Sequence, residues 1–148
     1  MTACHDCPLA AARSEPPPAR ADAPPARLTV ALIGPPNAGK STLFNELTGL
    51  RQKVANYAGV TVEHRIGRVS DSGGASAELI DLPGTISLQP RSEDERITAD
   101  VLHGRRPGIP KAQAIILVLD ATQLGRHLAL AAPVLALGLP TLVVLNLA

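Results

Sequence analysis

The chain has 148 residues, a formal net charge of +1, 45% hydrophobic residues and 1% aromatic ones. That length accommodates one domain with a substantial core. The near-neutral charge, with no basic stretch interleaved with aromatics, argues against nucleic acid or an anionic membrane surface as a partner, and the two cysteines provide no disulfide framework.

Residues 1–27 hold Pro16-Pro17-Pro18, Pro24-Pro25, several alanines and scattered Arg and Asp. This is the composition of a disordered, partly extended tail. It shows no basic segment leading into an apolar one, so no secretory signal is expected and a reducing compartment is. Cys4-His5-Asp6-Cys7 reads as two thiols on that tail, because a closed zinc site needs four ligands and no second pair follows.

Residues 28–148 read as a folded domain. Leu28-Thr29-Val30-Ala31-Leu32-Ile33 predicts a buried parallel strand. Ser41–Thr48 predicts a helix with Leu43, Phe44 and Leu47 on one face and Gly49 as its cap. Leu50 to Gly59 reads as a loop. Thr61–Val69 and Ala77–Ile80 read as two strands of an antiparallel hairpin, joined by Ser70-Asp71-Ser72-Gly73-Gly74. Ser92, with Glu95 three residues later, forms a capping box. It opens a helix through Ile97, Val101 and Leu102 that stops near Gly104. Ala114–Leu119 is another buried strand. Gln123 to about Leu137 is helical, with Pro133 expected to kink it or to mark a helix start. Leu128–Ala148 has no charged residue and the length of a membrane span. Pro133 and Gly138-Leu139-Pro140 divide it into a helix end, a turn and a buried central strand from Thr141 to Asn146. Phe44 and Tyr57 are the only aromatics, so the core rests on Leu, Val, Ile and Ala. The alternation predicts an α/β fold of the P-loop NTPase class, with a mostly parallel sheet and helices on both faces.

The chemistry is concentrated after the first strand. Gly34-Pro35-Pro36-Asn37-Ala38-Gly39-Lys40-Ser41 spells G-x-x-x-x-G-K-S between a predicted strand and a predicted helix, the context that a phosphate-binding P-loop needs. Glycines let the backbone curl around phosphate oxygens, and N–H groups point inward at a helix N-terminus. Lys40 brings positive charge to the terminal phosphates. The Ser41 hydroxyl is a candidate Mg2+ ligand, and Thr42 completes the turn. Asp81-Leu82-Pro83-Gly84 has the form D-x-x-G at a strand end, where Asp81 can hold a Mg2+ water and the Gly84 N–H can meet a γ-phosphate. Thr61 lies between these motifs, where a threonine can close over Mg2+ and the γ-phosphate and later release them. Asn146 follows a buried strand, where guanine readers begin N-x-x-D.

At these residues the chain resembles the G domain of the ferrous iron transport protein B family. The resemblance is carried by Leu32–Asn45, by Leu47-Thr48-Gly49, by Val54–Glu63 with its Gly59-Val60-Thr61-Val62-Glu63 run, and by Asp81-Leu82-Pro83-Gly84-Thr85. Val118–Thr122 and Gly138-Leu139-Pro140 add to it. The resemblance implies GTP or GDP and Mg2+ as ligands, slow hydrolysis, and a potassium ion associated with Asn37. It also implies a following helical segment, a polytopic membrane permease domain that moves Fe2+, a place on the cytoplasmic face of the bacterial inner membrane, and a possible homo-oligomer. In that setting Gly34 to Thr42, Gly59 to Val62, Asp81 to Gly84 and Asn146 would contact nucleotide. Lys40, Asn37, Thr61 and Gly84 would serve hydrolysis.

Thr85 stands where a small GTPase places a water-orienting glutamine and is too short for that task. Arg51, Arg65 and Arg68 read as solvated, so a cation at Asn37 is the expected source of compensating charge. Pro35 departs from the family's usual Asn. The acidic partner of Asn146 is not among the 148 residues. The G domain is therefore expected to be C-terminally incomplete, with Thr141–Leu147 partly uncovered and weak discrimination between GTP and ATP. Two alternatives stay open: another translation-factor-related GTPase, in tRNA modification or ribosome assembly, and a remnant that binds no nucleotide.

Overall fold

The structure, a computed structural model, describes residues 28–49, 52–56, 63–89 and 91–147. The cysteines at 4 and 7 and the run 59–62, including Thr61, lie outside the described residues. In chain order the elements are β1 (Leu28–Ile33), α1 (Lys40–Thr48), β2 (Gln52–Asn56), β3 (Glu63–Ser70), β4 (Ser76–Asp81), α2 (Glu93–Leu102), β5 (Ala114–Asp120), a single 3-10 turn (Ala121–Gln123), α3 (Leu124–Leu135) and β6 (Thr141–Asn146). The strands form one sheet in the order β2-β3-β4-β1-β5-β6. β1 runs parallel to β4 and β5, and β5 parallel to β6, while β2–β3 and β3–β4 are antiparallel. The predicted hairpin is therefore present, and the sheet is mixed with a parallel majority.

Strand geometry divides the core in two, because successive side chains point to opposite faces. Ala31 and Ile33 of β1 join Ile80 and Leu117, Ile97 and Val101 of α2, and Leu130 and Val134 of α3. Val30 and Leu32 point the other way and meet Phe44 of α1, Leu79 and Val118. So α1 covers one face, and α2 and α3 cover the other. The helix starts follow the sequence. Ser92 Oγ accepts the Glu95 N–H at 3.2 Å, while Glu95 Oε2 accepts the Arg91 N–H at 3.0 Å. Gly49 closes α1 in the left-handed region at φ 55°.

Four expectations need correction. Gln52–Asn56 is a strand rather than a loop, because it pairs with β3; with so little alternation in its sequence, the pairing and not propensity makes it a strand. β6 is an edge strand among the described residues and not a central one; the expected partial uncovering of Thr141–Leu147 is present, with Leu142 61% and Leu145 53% exposed. An unbroken apolar run looks the same at the centre of a sheet and at its edge. The buried face of α1 is Lys40, Phe44 and Thr48, and Leu47 is exposed. β3 approaches α1 so closely that a Cβ on Gly67 would sit 2.2 Å from Thr48 Cγ2. Finally, Pro133 does not mark a helix start; it lies within the last turns of α3, on the exposed side, and removes one helical hydrogen bond there. No helix among the described residues is long and apolar enough to cross a membrane.

Phe44 is fully buried beneath Gly67. Phe44→Ala should lower the unfolding free energy by ~3–5 kcal/mol. Leu142→Ala, on the open edge, should change it by less than about 0.5 kcal/mol. Urea unfolding followed by circular dichroism checks both.

Candidate functional site

β1 ends in the loop that the motif predicts. Two residues take the left-handed region, Asn37 at φ 64° and Gly39 at φ 88°. The Ala38 N–H donates to Pro35 O at 3.4 Å, and the Leu43 N–H donates to Gly39 O at 3.0 Å, carrying the turn into α1. Gly34 lies so close to β5 that a Cβ there would stand 2.2 Å from the Val118 carbonyl oxygen. Lys40 is only 8% exposed, and its Nζ donates to Pro35 O at 3.1 Å. A cavity of about 330 Å3 opens over Asn37, Gly39, Lys40, Ser41 and Thr42. Pro35 contributes its carbonyl to this geometry, so the missing proline N–H leaves the loop intact.

β4 brings Asp81 to the same place, in register with Leu32 of β1 and Arg65 of β3. Burial pushes the Asp81 carboxyl above the usual carboxylate range, against the opposing pull of Lys40 and Arg65. Burial likewise lowers the Lys40 ammonium, and Asp81 offsets part of that. Arg65 is thus half-buried and its charge acts on Asp81, so it is not simply solvated as expected. Asp81 Oδ1 is buried with no hydrogen-bond partner. An orphaned carboxylate oxygen beside a phosphate cradle fits Mg2+ or a Mg2+-bound water. Among the described residues no three His, Cys, Asp or Glu cluster as metal ligands. Magnesium held by one carboxylate, a hydroxyl and phosphate oxygens does not require such a cluster.

The segment after Asp81 is tied to the loop. The Leu82 N–H donates to Leu32 O at 3.2 Å and the Thr85 N–H to Gly34 O at 3.1 Å. The Thr85 hydroxyl donates to Ser87 O at 2.6 Å, and Thr85 is 1% exposed. A Cβ on Gly84 would come within 3.1 Å of the Pro36 backbone, so this glycine lies against the loop rim. From the far end of the chain, Asn146 Nδ2 donates to Ala38 O at 3.1 Å. A notch of about 180 Å3 runs between Thr42, Glu46, Val144 and Asn146.

The structure therefore brings together Gly34 to Thr42, Asp81 to Gly84 and Asn146. Gly59, Val60, Thr61 and Val62 lie outside the described residues. Sequence reasoning missed the Thr85 tether and the place of Arg65. The first rests on a backbone N–H, which leaves no signal in residue type, whereas the hairpin register offered a signal for the second.

The family model of ferrous iron transport protein B matches residues 28–148. The chain belongs to the ferrous iron transport protein B family. It is 46% identical over 126 residues to the Fe(2+) transporter FeoB of Escherichia coli K12 and 45% identical to that of Salmonella typhimurium. Each alignment covers 82% of this chain and 15% of the relative, so the chain spans a small part of these curated relatives. Among solved structures, the G domain of the T. maritima FeoB iron transporter superposes with a TM-score of 0.70 at 42% identity, covering 79% of this chain and 70% of that one. A GDP-bound variant of the S. thermophilus FeoB G-domain gives a TM-score of 0.70 at 41% identity over 80% of this chain and 43% of that one. The chain thus corresponds to the FeoB N-terminal G domain and has its P-loop NTPase fold.

Because burial holds the folded Lys40 below its unfolded value, the folded state releases this proton first. The nucleotide-free chain should gain stability as pH rises through the folded value, and the gain should level off at the unfolded lysine value. Asp81→Asn removes the carboxylate that raises Lys40, so Lys40 should titrate at still lower pH. The 13Cε shifts of the three lysines report this directly. An unmoved Lys40 titration would show that the two groups do not sense each other.

Proposed function

We propose that this FeoB-family chain is a guanine-nucleotide switch: it binds GTP and GDP, hydrolyses GTP slowly and regulates ferrous iron uptake by a membrane permease domain of the same protein, from the cytoplasmic face. The observation that carries this reading is the pairing of buried Lys40, which lines the P-loop cavity, with Asp81, whose charge acts on Lys40 and whose Oδ1 is buried without a partner. A buried cation and an orphaned carboxylate oxygen both await compensation, and a nucleotide phosphate with its magnesium supplies it. The GDP-bound state of the S. thermophilus relative supports guanine nucleotide as the ligand.

In this reading the loop amides and Lys40 bind the β- and γ-phosphates. Ser41, Asp81 and Thr61 would hold Mg2+, which neutralises phosphate charge when bound. Gly84, packed against Pro36, brings its N–H toward the γ-phosphate. Asn37, at the exposed rim of the cradle, would hold K+. Asn146 stands at the end of the notch that leads from Gly39 past Thr42, the place for the nucleoside. Thr85 gives its N–H to Gly34 and its hydroxyl to Ser87, so it has no donor left to orient an attacking water. Thr85 is then not the residue that activates water, and hydrolysis that leans on charge stabilisation in its place would turn over slowly.

Lys40→Ala should weaken GTP binding roughly 10- to 100-fold, the cost of losing a charge-assisted contact. Calorimetry reads this, and unchanged affinity would remove the loop from the function. Hydrolysis should run faster in KCl than in NaCl at equal ionic strength, and Asn37→Ala should erase the difference. A potassium response that survives the substitution would place the ion elsewhere.

A further inference from the structure

α3 is apolar on both of its sides. Its buried side holds His127, Leu130, Ala131 and Val134, and His127 Nδ1 accepts the Asp120 N–H at 3.3 Å. Its solvent side, with the cap, holds Leu128, Ala129, Ala132, Pro133, Leu135 and Ala136, all exposed. At 3.6 residues per turn these six fall within one arc of about 160°. Leu128 and Leu135 are each 53% exposed. They lie seven residues apart and so stand almost in line along the helix. A surface helix normally turns charged or polar side chains to water, whereas none of these six can form a side-chain hydrogen bond.

The charges at the two ends of this face carry one sign. Arg126 is exposed in the first turn of α3. At the other end the Ile115 N–H donates to Pro140 O at 2.8 Å, which joins the turn after α3 to the start of β5. There Ile109, Leu137 and Leu139 pack against one core cluster. The loop that carries Ile109 also carries Arg105 and Lys111, both exposed. Gly104, at φ 68°, folds that loop so tightly that a Cβ there would stand 3.0 Å from Lys111 Cδ, so the lysine stem lies across the residue before Arg105. Among the acidic groups of this layer, Asp100 is half-buried in the last turn of α2. Asp120 is engaged by Thr122 and Gln123. Glu93, Asp94 and Glu95 occupy the first turn of α2, a helix length from the loop. All acidic residues but Asp120 lie at or before position 100, so the net charge of +1 conceals this separation.

An apolar strip with cations at both ends matches the surface of an anionic bilayer, where headgroup phosphates meet the cations and the acyl boundary meets the strip. A second copy fits worse. Two-fold pairing of the strip sets Arg126 against Arg126 if the helices run parallel, and against the Arg105–Lys111 loop if they run antiparallel, which opposes like charges in both cases. We propose that the outer face of α3 rests on an anionic phospholipid surface, with Leu128 and Leu135 entering the interface and Arg105, Lys111 and Arg126 meeting headgroup phosphates.

The test uses the full 148-residue chain without nucleotide, so its failure leaves the nucleotide reading standing. At low salt, vesicles of phosphatidylglycerol and phosphatidylcholine in equal parts should bind the chain roughly tenfold or more tightly than vesicles of phosphatidylcholine alone. Salt at about 0.5 M should release it. A nitroxide carried by the lipid should broaden the amides of residues 128–136 and spare those of α1. Leu128→Gln combined with Leu135→Gln should weaken binding roughly tenfold, and so should Arg105→Gln combined with Lys111→Gln. All four positions are exposed, and circular dichroism checks that each variant keeps its fold. Leu142→Gln, on the open edge of β6, should leave binding unchanged. Equal binding to the two vesicle types, insensitivity to either double substitution, or broadening confined to α1 or β6 overturns the proposal. Dimerisation in sedimentation velocity that Leu128→Gln abolishes also overturns it, and assigns the face to a second copy.

Discussion

Lys40 carries a full positive charge into a place from which water is nearly excluded, and much of the described structure is arranged around that fact. An ammonium in such a position needs oxygen atoms around it. The loop supplies one of its own, the Pro35 carbonyl. β4 supplies a second charge at a distance through Asp81. Neither is full compensation, since the ammonium remains pulled below its ordinary range and Asp81 is pushed above its own. In the proposed reading, a phosphate supplies the compensation that the protein's own groups leave incomplete. On that reading, part of the affinity comes from the burial of Lys40 that precedes binding.

That arrangement needs three backbones to come closer than side chains allow. Gly34 presses on the Val118 carbonyl, Gly84 on Pro36, and Gly39 leaves room for the Asn146 amide. Each contact fixes the loop against a different strand end: β5, β4 and β6. The parallel half of the sheet thus converges at the carboxyl ends of its strands, where a doubly wound sheet places its ligand. The antiparallel half, β2 and β3, extends the sheet beyond β4, and its contribution to the site is Arg65.

The P-loop, β1, the D-x-x-G turn and the Ser92 cap were legible because each is written locally: a fixed spacing, a run of apolar residues, a capping pair. β2 was not legible, since Gln52–Asn56 becomes a strand only by pairing with β3. The edge position of β6 was not legible in its own apolar run, as strand order is decided by distant partners, although the partial uncovering of Thr141–Leu147 was expected. Thr85 shows the same limit within the site. Its residue type ruled out water orientation, but its actual use depends on two backbone groups, Gly34 O and Ser87 O. The Asp120–His127 link escaped notice because a histidine seven residues past a strand end carries no signature of its own.

The bond from Asn146 to Ala38 spans 108 residues. Synthesis proceeds from the N-terminus, so the loop is made early, yet its clasp emerges only after five strands and three helices. β1 also waits, because its neighbours β4 and β5 are translated later. Contacts of such long sequence separation form slowly and late. While the chain is still emerging from the ribosome, the phosphate cradle exists as sequence but not as a shape. In the proposed reading, nucleotide capture therefore waits until β6 has been made and has joined β5.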